Sequence, residues 1–338
     1  MTPIATDALR RFLDARDLGS GPVDVAPVGE GHSLETYRIR RPGLDAILRK
    51  PPPVRASPTA HDVLREARVL SGLGGSSVRA PVVLATCEDP AILGAPFVVT
   101  GTLPGSVIAT RLPEALDTPV ERRRISVELV DALVELHRFD WAESPLADLS
   151  ATDNYLERQL TRFDRVWHRE GTRDVPGVAE VFARLCETVP GGGDVTLIHG
   201  DYRLGNVLFD VGAPARLTGI LDWETCTLGD PLSDVGYLLA TYPDVDDEHG
   251  VLLSLSSVVT GDGFMARAEL AAQYAAASGR SLENLDWYLA FAQWKVAIIL
   301  EGSYRKHVRG LDDDPFFAEL ERGVPELIQR AWELVARV

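Results

Sequence analysis

The chain has 338 residues, 45% hydrophobic and 25% charged, which supports a folded core and excludes collagen-like, disordered and coiled-coil readings. A formal net charge of −16 gives no basic footprint for nucleic acid and repels phosphate at long range. Three scattered cysteines (Cys87, Cys186, Cys226) make neither a disulfide framework nor a zinc pattern, no apolar run reaches the ~18 residues of a membrane span, and residues 1–18 lack a signal core, so a reduced, cytoplasmic protein is expected.

In chain order, Thr6 is placed to cap a first helix carrying Ala8, Leu9, Phe12 and Leu13 at helical spacing. Strand-length segments follow at 23–28, 37–40 and 46–49, separated by Gly29-Glu30-Gly31-His32-Ser33 and by Pro42-Gly43. Pro51-Pro52-Pro53 ends the third. A helix is expected over 61–73, with Thr59 as its cap, then strands at 82–84 and 97–100. After Gly105 the pattern turns helical, which places a boundary between residues 1–105 and 106–338. Thr118-Pro119-Val120-Glu121 reads as a capping box with proline at the first helical position, opening a helix to about His137. Weaker helices at 155–167 and 178–185 precede short strands at 196–198, 207–209 and 217–221. A long helix over 285–308, ended by Gly310, and a terminal helix over 324–338 complete the expectation.

Two loops carry chemistry. In His199-Gly200-Asp201-Tyr202-Arg203-Leu204-Gly205-Asn206, an apolar strand enters a polar loop and a second strand leaves it. Asp201 and Asn206 are five apart, the spacing of the catalytic loop H-R-D-x-x-x-x-N. A carboxylate there can take the proton of an attacking hydroxyl, and a nearby amide oxygen can hold a metal ion. In Gly219-Ile220-Leu221-Asp222-Trp223-Glu224, an aspartate ends an apolar strand and can supply the charged ligand of Mg²⁺, which takes one or two protein carboxylates when bound to phosphates. Glu224 stands in reserve.

These motifs, extended by Gly229-Asp230-Pro231-Leu232-Ser233-Asp234-Val235-Gly236, resemble those of the aminoglycoside phosphotransferase and choline kinase family, relatives of protein kinases. The resemblance covers approximately residues 25 to 310. Leu48-Arg49-Lys50-Pro51-Pro52, the catalytic loop and the stretch from Trp287 to Arg305 make it closest to kinase-like domains related to those fused to acyl-CoA dehydrogenases. It implies an α+β, bilobal protein-kinase-like fold, with a small strand-rich nucleotide-binding lobe and a larger, mostly helical catalytic lobe. It also implies ATP and Mg²⁺ as cofactors. By the same resemblance Asp234 supports the two loops, Arg49 is the phosphate-binding cation with Lys50 its neighbour, and Glu66 pairs with it. Strand alternation lets only one of Arg49 and Lys50 enter the cleft. Gly31 and Ser33 lie in a turn able to cover phosphates, and Val99 lies in the strand that leads to the adenine hinge.

The acceptor belongs over the helical lobe near Asp201 and Arg203, which are taken as the catalytic pair, with Tyr202 beside them. Trp287, Tyr288, Phe291, Trp294, Lys295, Glu301, Tyr304 and Arg305 fall three or four apart, a stripe that fits core packing as well as a pocket. The acidic run Asp244, Asp246, Asp247 and Glu248 suits a cationic acceptor, whereas Lys295, Arg305, Lys306 and Arg309 suit an anionic one. The expected activity is ATP- and Mg²⁺-dependent transfer to a hydroxyl of a small molecule, such as an antibiotic, sugar, nucleoside or hydroxyacyl-CoA. The expected protein is a monomer or homodimer that binds neither nucleic acid nor membrane. The competing reading is a catalytically silent, pseudokinase-like nucleotide sensor. Neither G-x-S-x-G nor H-E-x-x-H supports a hydrolase.

Overall fold

The computed structural model describes residues 4–28, 34–52, 62–149, 154–171, 173–191, 193–244, 250–252, 255–311 and 314–338. The first lobe is built on an antiparallel sheet of β1 (Asp24–Pro27), β2 (Glu35–Arg41), β3 (Leu44–Lys50), β4 (Val83–Cys87) and β5 (Phe97–Gly101), in the order β1-β2-β3-β5-β4. One face packs on α1 (Thr6–Asp14), whose Leu9, Phe12 and Leu13 meet Tyr37, Ile39, Ala46, Leu48, Phe97 and Val99. Each fully buried Leu, Ile, Val or Phe among these contributes about 1.5–3 kcal/mol. The other face is covered by α2 (Val63–Gly72), through Val63 and Ala67 against Leu34 and Val98. A one-turn helix, α3 (Pro90–Leu93), joins β4 to β5.

The expected caps differ. The first helix begins at Thr6 itself, and its N-cap Ala5 has no side-chain acceptor. The second is capped by Asp62, whose carboxylate accepts from Leu64 and Arg65 N–H at 3.1 Å; Thr59 lies outside the described residues. The strand expected at 82–84 extends to Cys87 because Ala85 and Cys87 continue the buried alternation.

The second lobe contains α4 (Pro119–His137), α5 (Tyr155–Glu170), α6 (Val178–Glu187), β6 (Thr196–Ile198), β7 (Val207–Phe209), β8 (Leu217–Ile220), β9 (Thr227–Gly229), α7 (Leu232–Ala240), α8 (Arg267–Ser278), α9 (Leu285–Val308) and α10 (Pro315–Val335). Thr118 caps α4 by accepting from Glu121 N–H, but the reciprocal half of the capping box is not made. The Glu121 carboxylate instead accepts from Ala215 N–H at 2.6 Å and from Arg124 at 2.9 Å. The last helix begins nine residues before its expected start, with Asp314 accepting from Phe316 N–H and Pro315 in its first turn. The sequence reading missed α7, which is buried on nearly every side and so has no polar face to reveal its period. Gly236 lets α7 lie against α9: a Cβ there would come within 2.7 Å of the Tyr288 carbonyl oxygen. Among the described residues no helix is long and apolar enough to cross a membrane.

The four short strands place the two motif loops together. Strand β6 pairs with β9 and β7 with β8, both antiparallel. The β7–β8 pair is thus nested inside the β6–β9 pair. The loop from β6 to β7 (199–206) and the loop from β8 to β9 (221–226) both cross the gap between the pairs. The Leu221 N–H donates to the Asn206 carbonyl at 2.8 Å and ties one loop to the other.

Candidate active site

The first loop is hung on Asp234, in the first turn of α7 and fully buried. Its two carboxylate oxygens accept from His199 N–H at 2.6 Å and Gly200 N–H at 2.7 Å. Burial alone would push this carboxyl up, but hydrogen bonds from His137 and His199 outweigh it and hold it below its ordinary value. His137, pushed down by its own burial, lies between Asp234 at 3.3 Å and the Tyr274 hydroxyl at 2.8 Å. Gly200 adopts φ +81°, and a Cβ there would meet the Thr225 carbonyl oxygen at 3.0 Å. Glycine is therefore required by both conformation and space. The buried His199 ring bridges the loops: Nε2 donates to the Leu221 carbonyl at 2.8 Å, and Nδ1 accepts from Asp201 N–H at 3.3 Å.

Asp201 emerges from this turn half-buried. Asn206 Nδ2 donates to its carboxylate at 2.7 Å and to its carbonyl at 2.9 Å. Arg203 Nε lies 3.9 Å from the other carboxylate oxygen. Tyr237, from α7, lies near Asp201; burial and the charge of that carboxylate push the phenol up, so it stays protonated. Thus the expected pair Asp201 and Arg203 is brought together with Asn206.

Arg49 approaches from the other lobe. On β3 the buried positions are Ala46, Leu48 and Lys50, so Ile47 and Arg49 take the opposite face. Lys50 is turned inward onto Glu35 at 2.5 Å. Arg49 forms an ion pair with Glu66 of α2 and reaches Asp222 at 3.0 Å. Glu66 is 1% exposed. Burial pushes its carboxyl up, to about 7, against the opposing pull of the Arg49 guanidinium. Asp222 itself has left-handed geometry, φ 65° and ψ 62°, which is rare for a residue with a side chain. The fold thus brings Arg49, Glu66 and Asp222 into one cluster.

Other expected positions fall elsewhere. Val99 pairs with Leu48 in register and is buried against α1, on the face of the sheet opposite Arg49. Its side chain therefore does not reach the cleft. Gly31 and Ser33 lie outside the described residues, as do Asp246, Asp247 and Glu248. Tyr202 is fully buried, donating to the Leu129 carbonyl at 2.7 Å, so it is no acceptor contact. Trp287 and Trp294 are also buried, with indole N–H groups on the Leu185 and Val178 carbonyls of α6. The aromatic stripe is core. Glu301 is buried against Arg173, whose guanidinium stacks over Tyr304.

Several residues of the site were missed by the sequence reading because their partners are remote in the chain. Arg65 donates to the Glu224 carbonyl at 3.1 Å and the Cys226 carbonyl at 2.5 Å, so α2 grips the second loop. Arg79 binds Glu128 and Glu135 of α4 and the Leu217 carbonyl, while its own carbonyl accepts from Ile220 N–H. Tyr237 flanks Asp201 from α7, and Lys295, already among the acceptor candidates read from the sequence, flanks it from α9.

The donor set suits a hard cation. Asn206 uses its amide nitrogen on Asp201, which leaves its oxygen as the acceptor atom. Asp222 gives one oxygen to Arg49 and retains the other. An amide and a carboxylate oxygen on adjoining loops fit Mg²⁺, which keeps waters and phosphate oxygens in its shell. Among the described residues no group of three or more His, Cys, Asp or Glu forms a protein cage for a metal.

The chain is similar to known proteins over most of its length. A family model described as "Phosphotransferase enzyme family" matches residues 24–290. The chain is 29% identical over 339 residues to acyl-CoA dehydrogenase family member 10 of Mus musculus, covering 99% of this chain and 31% of that protein. It is 32% identical over 308 residues to probable acyl-CoA dehydrogenase IBR3 of Arabidopsis thaliana, covering 86% and 36%. The chain thus spans about a third of the length of these relatives. Among solved structures, a "putative aminoglycoside phosphotransferase" from Ralstonia eutropha JMP134 superposes with a TM-score of 0.81 at 25% identity, covering 99% of both chains. Aminoglycoside phosphotransferase APH(4)-Ia, in ternary complex with AMP-PNP and hygromycin B, superposes with a TM-score of 0.61 at 16% identity, over 96% of this chain and 98% of that one. The fold is the expected bilobal, kinase-like one.

Proposed function

Since the chain belongs to the phosphotransferase enzyme family, we propose that it moves the γ-phosphate of ATP, with Mg²⁺, to a hydroxyl of a small molecule. The observation that carries this reading is the Asp201 carboxylate, held by Asn206 beside a second loop whose Asp222 is paired with Arg49. Asp201 orients the acceptor hydroxyl and takes its proton. Asn206 and Asp222 hold the metal, which when bound neutralises phosphate charge. Arg49, kept in place by Glu66, positions the phosphates, and Arg203 offers a second cation beside Asp201. Little covalent work falls to the protein; positioning and electrostatics supply the rate. Residues 1–105 serve as the nucleotide lobe and 106–338 as the catalytic and acceptor lobe, with adenine held by the backbone at the end of β5.

The test is calorimetry with Mg²⁺ and ATP, followed by an ADP-release screen over aminoglycosides, choline-like alcohols, sugars, nucleosides and hydroxyacyl-CoAs. Nucleotide binding with acceptor-dependent release is expected. Binding without release from any acceptor would favour the sensor reading. Absence of Mg²⁺–nucleotide binding would overturn the assignment of Asp201, Asn206 and Asp222.

A further inference from the structure

Lys295 is one of three lysines among 34 basic residues. It projects from α9 beneath the catalytic loop. Its Nζ donates to the Gly200 carbonyl at 2.6 Å. The same ammonium lies 4.5 Å from the ring centre of Tyr237 and 5.6 Å from that of Phe163. Tyr237 in turn lies near the Asp201 carboxylate, whose charge pushes the phenol up. Burial pushes the ammonium down, and the negative charges of Asp201 and Asp234 oppose that shift.

The Gly200 carbonyl belongs to the peptide unit whose N–H is that of Asp201. That N–H donates to His199 Nδ1 at 3.3 Å. Lys295 and His199 therefore hold the two ends of one rigid plane. The plane sets the direction in which the Asp201 side chain leaves the backbone. Gly200, with no Cβ, is the residue at which that plane is otherwise freest to turn. A compact ammonium on an unbranched stem fits beside the two rings and delivers an N–H to the carbonyl; a planar guanidinium spreads its donors over a wider fork.

We infer that Lys295 is a positioning residue for phosphoryl transfer, pinning the Gly200–Asp201 peptide so that the Asp201 carboxylate faces the acceptor hydroxyl. The inference rests on the reading of Asp201 given above. It assigns a reason for a lysine in a chain whose basic residues are mostly arginine.

Two measurements on the full chain test it. Labelling lysine with ¹³C gives ε-methylene signals from Lys50, Lys295 and Lys306 alone. Asp201→Asn is expected to shift the Lys295 signal and leave that of the exposed Lys306 in place. An unmoved Lys295 signal in the folded variant would overturn the contact. Second, Lys295→Met is expected to lower kcat for ADP release from Mg²⁺–ATP by about 100-fold, the scale of a misplaced reacting group. The acceptor is the one found by the screen or, with none, water. KM for ATP should stay within about twofold, and Lys295→Arg should recover part of kcat. Wild-type kcat in Lys295→Met would overturn the inference. Should Lys295→Met fail to fold, the Arg variant and the Asp201→Asn spectrum still decide. Turnover retained in Asp201→Asn would refute the role of Asp201 instead, and would leave the contact itself to be judged by the spectrum.

Discussion

Asn206 closes the loop over 199–206 on Asp201, its side-chain amide donating to the carboxylate at 2.7 Å and to the carbonyl of the same residue at 2.9 Å. The five-residue spacing is thereby converted into a ring that holds the carboxylate proposed to take the acceptor's proton and leaves the amide oxygen free for the proposed metal.

Replacing Asp201 by Asn should leave this ring near its present shape while removing the proton acceptor. ADP release is expected to fall about 10²–10⁴-fold, the range for a general base. Calorimetric affinity for Mg²⁺–nucleotide should be retained, since Arg49, Asn206 and Asp222 are untouched. Retained turnover would take Asp201 out of the mechanism.

Arg49 serves two acidic partners at once. Arg49→Met strands Glu66, a nearly unexposed carboxyl. Breaking a buried pair in this way costs about 3–5 kcal/mol when the remaining charge cannot neutralise. Glu66 can take a proton, so a loss of about 2 kcal/mol is expected in urea titrations, within the ordinary range for point variants. KM for ATP should rise at the same time. Arg49→Lys keeps a charge for Glu66 but gives up the fork that also reaches Asp222. It should be the milder variant on both readouts.

Glu66 gives the protein a stability term that depends on pH. Its folded value is raised from 4.5 to about 7 by burial. The sign follows: this contribution is present in full below 4.5 and is lost as pH rises through about 7. Across that window the wild-type chain should lose up to about 3 kcal/mol that Glu66→Gln does not lose. Urea midpoints of the two proteins at pH 5 and pH 8 check this. A difference between them that stays constant with pH would exclude Glu66 as the titrating group.

Asp234 gives the opposite limb. Its folded value is depressed, so its contribution is present above the ordinary aspartate range and lost as pH falls through the depressed value. Asp234→Asn leaves one acceptor where His199 and Gly200 each present an N–H. A loss of about 1–3 kcal/mol is expected at neutral pH, the cost of an unsatisfied buried donor. The acid limb of the stability curve should flatten, and turnover should fall because the loop carrying Asp201 is released.

Much of the site was readable because its parts are local. The spacing from His199 to Asn206 specifies a loop whose bonds close within a few residues, and Asp222 follows directly on a short apolar strand. The helix over 285–308 matches α9 at both ends, since its boundaries are set by composition and by Gly310. Its stripe of aromatic residues was legible as periodicity but not as core or pocket. That distinction depends on α6, whose Val178 and Leu185 carbonyls accept the indoles of Trp294 and Trp287 more than 100 residues away.

By itself, then, the order of residues carried the two motif loops and the family resemblance they support, and that resemblance in turn pointed to Glu66 and to a cation at Arg49 or Lys50. Tertiary structure decided which neighbour enters the cleft: the pleat of β3 turns Lys50 onto Glu35 and leaves Arg49 to Glu66 and Asp222. It also sent Val99 to the α1 face and put Lys295 against Gly200, 95 residues earlier in the chain. Local spacing encodes which groups are available, because short loops have few ways to close. Which face a strand buries, and which distant carbonyl a lysine finds, is set by packing between elements that no short window of sequence contains.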